Sequence, residues 1–181
     1  MNIPNLITLL RIILVPIIVI LLIQGFFLKA LIVFVVAGLS DALDGFLARV
    51  LNQQTVLGAY LDPIADKALL ASSFVTLSIL HIIPSWLAVV VISRDFIILL
   101  GISVLSIMSI SVEIRPTFIS KVTTALQLIT VLLALSLRCL PYAVNGIWPL
   151  ALYWVTAFFT IVSGLNYMAR GVKLINHDTK K

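Results

Sequence analysis

The sequence predicts an all-α fold, an integral membrane bundle of six transmembrane helices. Of its 181 residues, 62% are hydrophobic and only 10% are charged, whereas soluble domains carry about 25% charged residues. A membrane-spanning helix needs about 20 apolar residues, so the chain is long enough for roughly six spans joined by short loops. This composition excludes a soluble enzyme, a disordered chain and a nucleic-acid-binding domain.

Each predicted span is an apolar run bounded by polar or helix-breaking residues. Pro4 and Asn5 precede the first run and favour a helix start, and Pro84 opens the fourth. The six predicted spans are about Leu6–Ile23, Ala30–Leu51, Leu57–Leu80, Pro84–Met108, Phe118–Leu137 and Ile147–Met168. No repeat or linker separates them, so we predict a single domain over residues 1–181.

The distribution of basic residues predicts the topology. Six spans place both termini on one side, and the opposite loops hold only Lys29 and Arg138. The basic residues on the terminal side are Arg49, Arg115, Lys121, Arg170, Lys173, Lys180 and Lys181. Because cytoplasmic loops are enriched in Lys and Arg, we expect both termini in the cytoplasm, with a bacterial inner membrane as the site of residence.

Four of the seven acidic residues fall within 26 positions, at the end of the second predicted span and the start of the third. Asp41 and Asp44 are three apart, and Asp62 and Asp66 are four apart, so each pair shares one helix face. An Asp near the membrane centre costs about 2.5–3.5 kcal/mol on insertion scales. Four such carboxylates therefore require a compensating partner.

A divalent cation is the partner that four carboxylates fit best. Carboxylate oxygens are hard ligands that suit Mg²⁺ or Mn²⁺, and two ions can share such a set. Zinc is not expected, because Cys139 is the only cysteine and His81 and His177 are far away in sequence. The alternative is that each Asp is solvated or paired with Arg49 or Lys67.

Small and basic residues beside the acidic cluster indicate a diphosphate ligand. Gly45, Ala48 and Gly58 remove side-chain bulk, which lets a flat ligand approach the backbone. Arg49 can bind a phosphate with two parallel hydrogen bonds. The residues alone thus predict metal-dependent chemistry on a phosphorylated or pyrophosphorylated lipid at the cytoplasmic face.

The spacing of these residues resembles the signature of the CDP-alcohol phosphatidyltransferase family at every defined position. The eight positions are Asp41, Asp44, Gly45, Ala48, Arg49, Gly58, Asp62 and Asp66. The resemblance implies six transmembrane helices, a homodimer, and transfer of a phosphatidyl group from CDP-diacylglycerol to an alcohol with release of CMP. It implies that Asp41, Asp44 and Asp62 are ligands of Mg²⁺ or Mn²⁺, with Asp66 as a further ligand or as the catalytic base.

The resemblance also implies the contacts to the CDP-linked lipid. Gly45, Ala48 and Gly58 would contact the cytidine nucleotide, and Arg49 its diphosphate. We expect three further polar residues at this ligand. Asn5 and Thr8 form a polar stripe with Arg11 along the first span, which we expect to face the nucleotide cavity or to serve packing alone, and Thr55 lies just before Gly58.

The acceptor alcohol depends on the branch of the family. The chain resembles two branches, phosphatidylglycerophosphate synthases and mitochondrial-type cardiolipin synthases. Arg94-Asp95 and the stretch 115–122 look more like the second branch. We therefore favour phosphatidylglycerol, giving cardiolipin, with glycerol-3-phosphate as the alternative. Arg94, Lys121 and Arg115 are expected to bind the acceptor's phosphate. Alternatively, Arg94 pairs with Asp95, and Lys121 extends to the membrane surface.

Two other function classes are compatible with acidic residues in a membrane protein. An intramembrane cation transporter would use the carboxylates as an ion site, but would not require Arg49, Gly45 or Gly58. A prenyl-diphosphate enzyme usually carries adjacent aspartates in a DDxxD motif, and this chain has no adjacent Asp pair.

Overall fold

The computed structural model of the chain describes most of its backbone and the side chains of its central helical segments. The backbone is described in four ranges, 3–50, 56–107, 118–139 and 147–178. Side chains are described in the ranges 8–40, 64–103, 118–139 and 148–172. Within these ranges the regular structure is entirely helical, which confirms the predicted all-α class.

Six helices form, one at each predicted span. They are α1 (Ile3–Ile23), α2 (Phe27–Val50), α3 (Val56–Ile79), α4 (Ser85–Ile107), α5 (Phe118–Cys139) and α6 (Ile147–Asp178). The largest difference from the sequence prediction is α6, which continues well past Met168. Apolarity marks only the membrane-embedded part of a helix, whereas the last turns of α6 are polar. There, Arg170 Nε donates to Asn166 Oδ1 one turn earlier, at 3.2 Å.

Three described segments are long and apolar enough to cross a membrane, namely Ser85–Ser103, Phe118–Cys139 and Trp148–Val172. Shorter apolar segments occur in α1 and α2, at Thr8–Ile23 and Phe27–Ser40. Large apolar side chains are exposed along every helix, which is expected when lipid rather than water surrounds the protein. The fold is therefore a helical membrane fold, and the full set of six spans stays a prediction.

The helices divide into two compact units, which are described separately. The first contains α1, α2, α3 and residues 131–139 of α5. In it, α1 packs against both α2 and α3. The buried apolar side chains of this unit include Leu22, Phe34, Phe74 and Leu77. α1 is thus in contact with both helices that carry the aspartates of the motif. The single-domain prediction is not tested by this division.

The second unit contains α4, residues 118–130 of α5, and α6. Hydroxyl groups link α5 to α6 inside this unit. Thr123 Oγ1 donates to the carbonyl of Phe159 at 3.0 Å, and the Thr130 and Thr156 hydroxyls lie 2.9 Å apart. Such bonds stabilise helix pairs in lipid, where apolar packing offers no advantage over contact with acyl chains.

A Schellman turn ends α1. Gly25 has a φ of 75°, its N–H donates to the carbonyl of Leu22 at 3.0 Å, and the N–H of Phe26 donates to Leu21 at 2.9 Å. These two bonds satisfy carbonyls that the helix itself leaves without partners. Among the described residues, a Cβ added at Gly25 would meet no atom within 4 Å. Conformation, not space, therefore selects glycine here.

The same turn ends α3, with a histidine in the left-handed position. His81 has a φ of 54° and its N–H donates to the carbonyl of Ser78 at 3.0 Å, while Ile82 donates to Leu77 at 2.9 Å. An L residue in this region costs roughly 1–2 kcal/mol relative to the right-handed one. The bonds of the turn hold His81 there despite that cost.

These two turns make a matched pair for a stability test. We expect Gly25→Ala to lower the free energy of unfolding by about 1 kcal/mol, because it puts a Cβ on a residue with positive φ. His81→Ala should change it by less than about 0.5 kcal/mol, because both residues bear the same conformational cost and His81 is exposed. Thermal unfolding in detergent micelles measures both variants. Equal melting temperatures for the two variants would contradict this account.

Candidate functional site

The fourth aspartate of the motif forms an ion pair with a buried arginine. Arg11 on α1 donates from Nη1 to Oδ1 of Asp66 on α3. The side chain of Arg11 is 0% exposed, whereas that of Asp66 is 41% exposed. The arginine is thus enclosed by the packed helices, whereas the aspartate side chain is partly exposed. Charge-assisted bonds of this kind fix orientation more strongly than bonds between neutral groups.

The polar stripe on α1 faces the interior of the first unit. Thr8 and Arg11, one turn apart, are both fully buried although most other side chains of α1 are apolar. Asn5 lies in the backbone of α1, but its side chain is outside the described residues. The inward direction of the stripe is thus seen for Thr8 and Arg11. A role for Asn5 and Thr8 in binding the CDP-linked lipid stays a prediction.

The first half of the motif lies in the last turns of α2. The backbone is helical from Asp41 through Arg49, so Asp41 and Asp44 share one helix face as predicted. Gly45 and Ala48 lie in the same turns. The side chains of these residues lie outside the described part of the structure.

The second half of the motif lies at the start of α3. Gly58 and Asp62 belong to its first turns, and Asp66 follows one turn later on the face of Asp62. The side chain of Asp66 is described, and that of Asp62 is not. Thr55 and Arg115 lie outside the described residues altogether. The contact between the two aspartate pairs therefore stays a prediction.

The residues present fit a divalent-cation site. No group of three or more metal-ligating side chains occurs among the described side chains, which include one of the four aspartates. The described backbone nevertheless puts each aspartate pair on one helix face, with carboxylate oxygens as the donor set. Asp66 is the described member, and its side chain is partly exposed. Oxygen donors of this kind are those that Mg²⁺ and Mn²⁺ prefer.

In the second unit, Arg94 connects three helices. From α4, its Nη1 donates to Asp95 Oδ1 at 2.6 Å. Its Nη2 donates to Ser120 Oγ on α5 at 2.7 Å and to Ser163 Oγ on α6 at 2.9 Å. The Tyr167 ring centroid lies 6.0 Å from the guanidinium carbon. The pairing of Arg94 with Asp95 that the sequence left open is thus present, together with two hydroxyl contacts.

Arg94 and its partner Asp95 are both largely buried. The side chain of Arg94 is 7% exposed, and that of Asp95 is 13% exposed. A Cβ on Gly164 would lie 3.5 Å from Arg94 Cγ, so the small residue keeps space for the arginine stem. Within the described part of the chain, the buried Nε–H of Arg94 has no hydrogen-bond acceptor. An unsatisfied buried N–H is costly, and an added ligand would satisfy it.

Lys121 lies in the first turn of α5, beside the serine that Arg94 contacts. It is exposed and lines an open groove of about 380 Å³ together with Ser120, Thr124, Ala125 and Leu128. Ser120 therefore belongs both to the groove and to the Arg94 network. Ser120 thus bonds one residue predicted to bind the acceptor, Arg94, and lines the same groove as another, Lys121.

Sequence reasoning missed two participants and one pairing in these networks. Ser120 and Ser163 are 26 and 69 positions from Arg94, and no spacing within a single helix relates them to it. The pairing of Arg11 with Asp66 spans 55 positions and depends on the packing of α1 against α3. The signal in the sequence was the presence of an arginine within an apolar helix, because a cation inside an apolar span requires a partner.

Loss of Arg94 should destabilise the protein strongly. Arg94→Met leaves Asp95 largely buried without its cation, and breaking a buried pair from one side costs about 3–5 kcal/mol. Ser163→Ala removes one hydrogen bond and should cost about 1 kcal/mol. Thermal unfolding in micelles measures both. An unchanged melting temperature for Arg94→Met would show that the network contributes nothing to folding.

Comparison with known proteins identifies the family. The sequence pattern described as CDP-alcohol phosphatidyltransferase matches residues 1–162. The chain is 37% identical over 190 residues to human cardiolipin synthase (CMP-forming), and the rat enzyme of the same name is 36% identical over 190 residues. Each of these alignments covers 96% of this chain, which spans 63% of the length of each cardiolipin synthase.

A bacterial relative matches over nearly its full length. The CDP-diacylglycerol–glycerol-3-phosphate 3-phosphatidyltransferase of Bacillus subtilis is 34% identical over 186 residues, covering 93% of this chain and 94% of that protein. The family match extends over α1 to α5 and part of α6, and it includes every position of the aspartate motif. The chain therefore belongs to the CDP-alcohol phosphatidyltransferase family.

Proposed function

We propose that the protein transfers a phosphatidyl group from CDP-diacylglycerol to phosphatidylglycerol, forming cardiolipin and releasing CMP. The observation that carries this proposal is the complete aspartate motif within a chain of this family. Support for this acceptor comes from the 36% and 37% identity to cardiolipin synthases. The Arg94-Asp95 pair, which resembles the same branch in sequence, is joined through Ser120 to the groove of Lys121.

The reaction requires one proton transfer and one exchange of bonds at phosphorus. The acceptor hydroxyl forms a P–O bond to the β-phosphorus, and the bond from that phosphorus to the bridging oxygen breaks, so that CMP leaves with that oxygen. We assign the hydroxyl proton to the carboxylate of Asp66, whose side chain is partly exposed on α3. An alcohol near pH 7 needs such a positioned base to act as a nucleophile.

The charge of the diphosphate must be neutralised during this exchange. Asp41, Asp44, Asp62 and Asp66 would hold one or two Mg²⁺ or Mn²⁺ ions, which supply Lewis-acid stabilisation of that charge. Arg49 binds the diphosphate in this proposal. Gly45, Ala48 and Gly58 leave space for the cytidine nucleotide, and Asn5, Thr8 and Thr55 supply further polar contacts to the CDP-linked lipid.

The acceptor's phosphate is assigned to the cations of α4 and α5. Phosphatidylglycerol carries one phosphate, and Lys121 is exposed in the groove beside Ser120. Arg94 retains a buried Nε–H without an acceptor in the described structure, which a phosphate oxygen would satisfy. Arg115 is assigned to the same phosphate from its place in the sequence just before α5.

Assay of the purified protein with each acceptor tests the proposal. With labelled CDP-diacylglycerol in mixed micelles, we expect phosphatidylglycerol to give labelled cardiolipin and CMP. Glycerol-3-phosphate should give at least about tenfold less product, because specificity follows differential binding of the acceptor. Formation of phosphatidylglycerophosphate alone would overturn the choice of acceptor, and absence of CMP with either acceptor would overturn the activity.

Glycerol-3-phosphate is the second candidate acceptor. It is favoured by the 34% identity to the Bacillus subtilis glycerol-3-phosphate enzyme over 94% of that protein's length. Both acceptors present a hydroxyl group and a phosphate, so the same cations would serve either. The acceptor assay separates the two.

We infer that the protein functions as a homodimer in a bacterial inner membrane, with both termini and the active site on the cytoplasmic side. The excess of basic residues on the terminal side of the predicted spans supports this orientation. The family assignment supports the dimer. Accessibility of cysteines introduced near either terminus to a membrane-impermeant reagent in oriented vesicles tests the topology.

A further inference from the structure

We propose that Arg11 is the positioning residue for Asp66, fixing the carboxylate in the orientation from which it accepts the proton of the acceptor alcohol. This inference rests on the proposed function of Asp66 as the base. Its own observation is the bond from Arg11 Nη1 on α1 to Asp66 Oδ1 on α3. No position of the aspartate motif lies on α1, so the inference adds a residue from a third helix to the site.

The two side chains of this ion pair differ in exposure. Arg11 is fully buried between packed helices, whereas 41% of the Asp66 side chain is accessible. A fixed cation bonded to Oδ1 restrains rotation of the carboxylate about its side-chain bonds. The carboxylate then keeps a constant direction relative to α3. Supporting contacts of this kind hold reactive groups within the narrow limits that catalysis requires.

Stability alone does not account for an arginine at this position. Removing a charge from water costs several kcal/mol, and a well-packed apolar residue usually stabilises as much as a buried ion pair or more. Most of the remaining α1 residues are apolar, so an apolar residue at position 11 would suit the helix. An orienting role gives a physical reason for the charge at this depth.

The arginine acts through Asp66 and not by direct contact with the reacting atoms. The guanidinium is fully buried among the packed helices, whereas the Asp66 side chain is partly exposed. Loss of Arg11 should therefore slow the chemical step while leaving substrate affinities largely intact. A residue that binds substrate would instead change KM, and a purely structural residue would change stability alone.

Three variants test this role. Arg11→Gln removes the cation but keeps a polar side chain, Arg11→Lys keeps the charge without the planar fork, and Ser73→Ala is the matched control. Ser73 is buried on α3 near the face of Asp66, two turns later, and its hydroxyl donates to the carbonyl of Leu69 at 2.7 Å. Ser73 takes no part in the proposed reaction. The Ser73→Ala variant therefore measures how much kcat changes when one buried hydroxyl group is lost from α3.

The measurements are kcat, the KM of each substrate, and thermal unfolding, all in the same micelles. For Arg11→Gln we expect kcat to fall about 100-fold, the loss typical of a misplaced reactive group. Both KM values should stay within about twofold of wild type. Arg11→Lys should have a kcat about tenfold higher than that of Arg11→Gln, because lysine restores a charged donor but lacks the planar guanidinium. Ser73→Ala should match wild type in kcat.

Each contrary result has a defined meaning. Wild-type kcat in folded Arg11→Gln, with a lower melting temperature, would overturn the inference and make the ion pair structural. A raised KM for CDP-diacylglycerol at unchanged kcat would also overturn it, by making Arg11 a substrate ligand. Failure of the wild-type protein to release CMP is seen separately, and would overturn the proposed function together with this inference.

Discussion

Replacing Asp66 by asparagine should lower the rate of CMP release about 10³-fold, because a positioned general base contributes factors of this order. Asparagine keeps the size of the side chain but neither binds a proton at neutral pH nor carries a charge for a cation. The side chain is partly exposed on α3, so the substitution should not leave a large cavity. The measurement is the release of labelled CMP from CDP-diacylglycerol by the purified variant.

The control for this substitution is the same chemical change at a distant carboxylate. Asp178→Asn alters the last residue of α6, in the polar end of the chain, and should leave the rate unchanged. A melting temperature for Asp66→Asn near that of wild type would show that the variant is folded. Turnover of folded Asp66→Asn within twofold of wild type would exclude Asp66 as the base.

Asp44→Asn and Asp62→Asn should each abolish turnover through loss of a cation ligand, while the protein stays folded in detergent. Loss of Lewis-acid stabilisation worth several kcal/mol lowers the rate by at least about 100-fold. Asp41→Asn should be severe, although water can replace a ligand in part. Chelation of divalent cations should likewise stop the wild-type reaction, and addition of Mg²⁺ or Mn²⁺ should restore it.

A binding measurement separates this explanation from a general defect in catalysis. Titration of Mn²⁺, followed by electron paramagnetic resonance, should give weaker binding for Asp44→Asn and Asp62→Asn than for wild type. Asp178→Asn is again the matched control and should bind as wild type does. Unchanged Mn²⁺ affinity in both ligand variants would rule out these aspartates as the cation site, whatever their effect on the rate.

The helices of this fold follow from the sequence because each is encoded locally. Apolar runs of span length bounded by residues such as Pro84 predict where helices form, and α4 begins at the next residue. The same signal fails at the polar end of α6, which extends to Asp178 because helix-compatible polar residues continue the backbone pattern beyond the apolar run. Hydropathy locates the part of a helix in lipid, not its full length.

The site is predictable to the extent that its residues lie on one helix. The spacing of Asp62 and Asp66 defines a shared face without knowledge of any neighbour, and α3 has that helical register. The partner of Asp66 is on α1, and its identity depends on how the two helices pack. The sequence showed Arg11 as a member of a polar stripe, but gave no basis for choosing its partner.

The same limit applies to Arg94. Its neighbour Asp95 was foreseen as a partner because the two residues are adjacent, and the pair is present at 2.6 Å. The bonds to Ser120 and Ser163 come from two other helices, and a serine in a membrane helix carries little signal of its own. Contacts between helices depend on how the helices pack. Hydropathy and residue spacing do not show which residues of two helices come into contact.

An experimental structure of the protein with Mn²⁺ and CDP-diacylglycerol tests the central claim most directly. We expect anomalous scattering from manganese beside the carboxylates of Asp41, Asp44, Asp62 and Asp66, with the diphosphate in contact with the metal. It would be contradicted by four aspartates directed into separate surroundings, with manganese bound elsewhere or not at all.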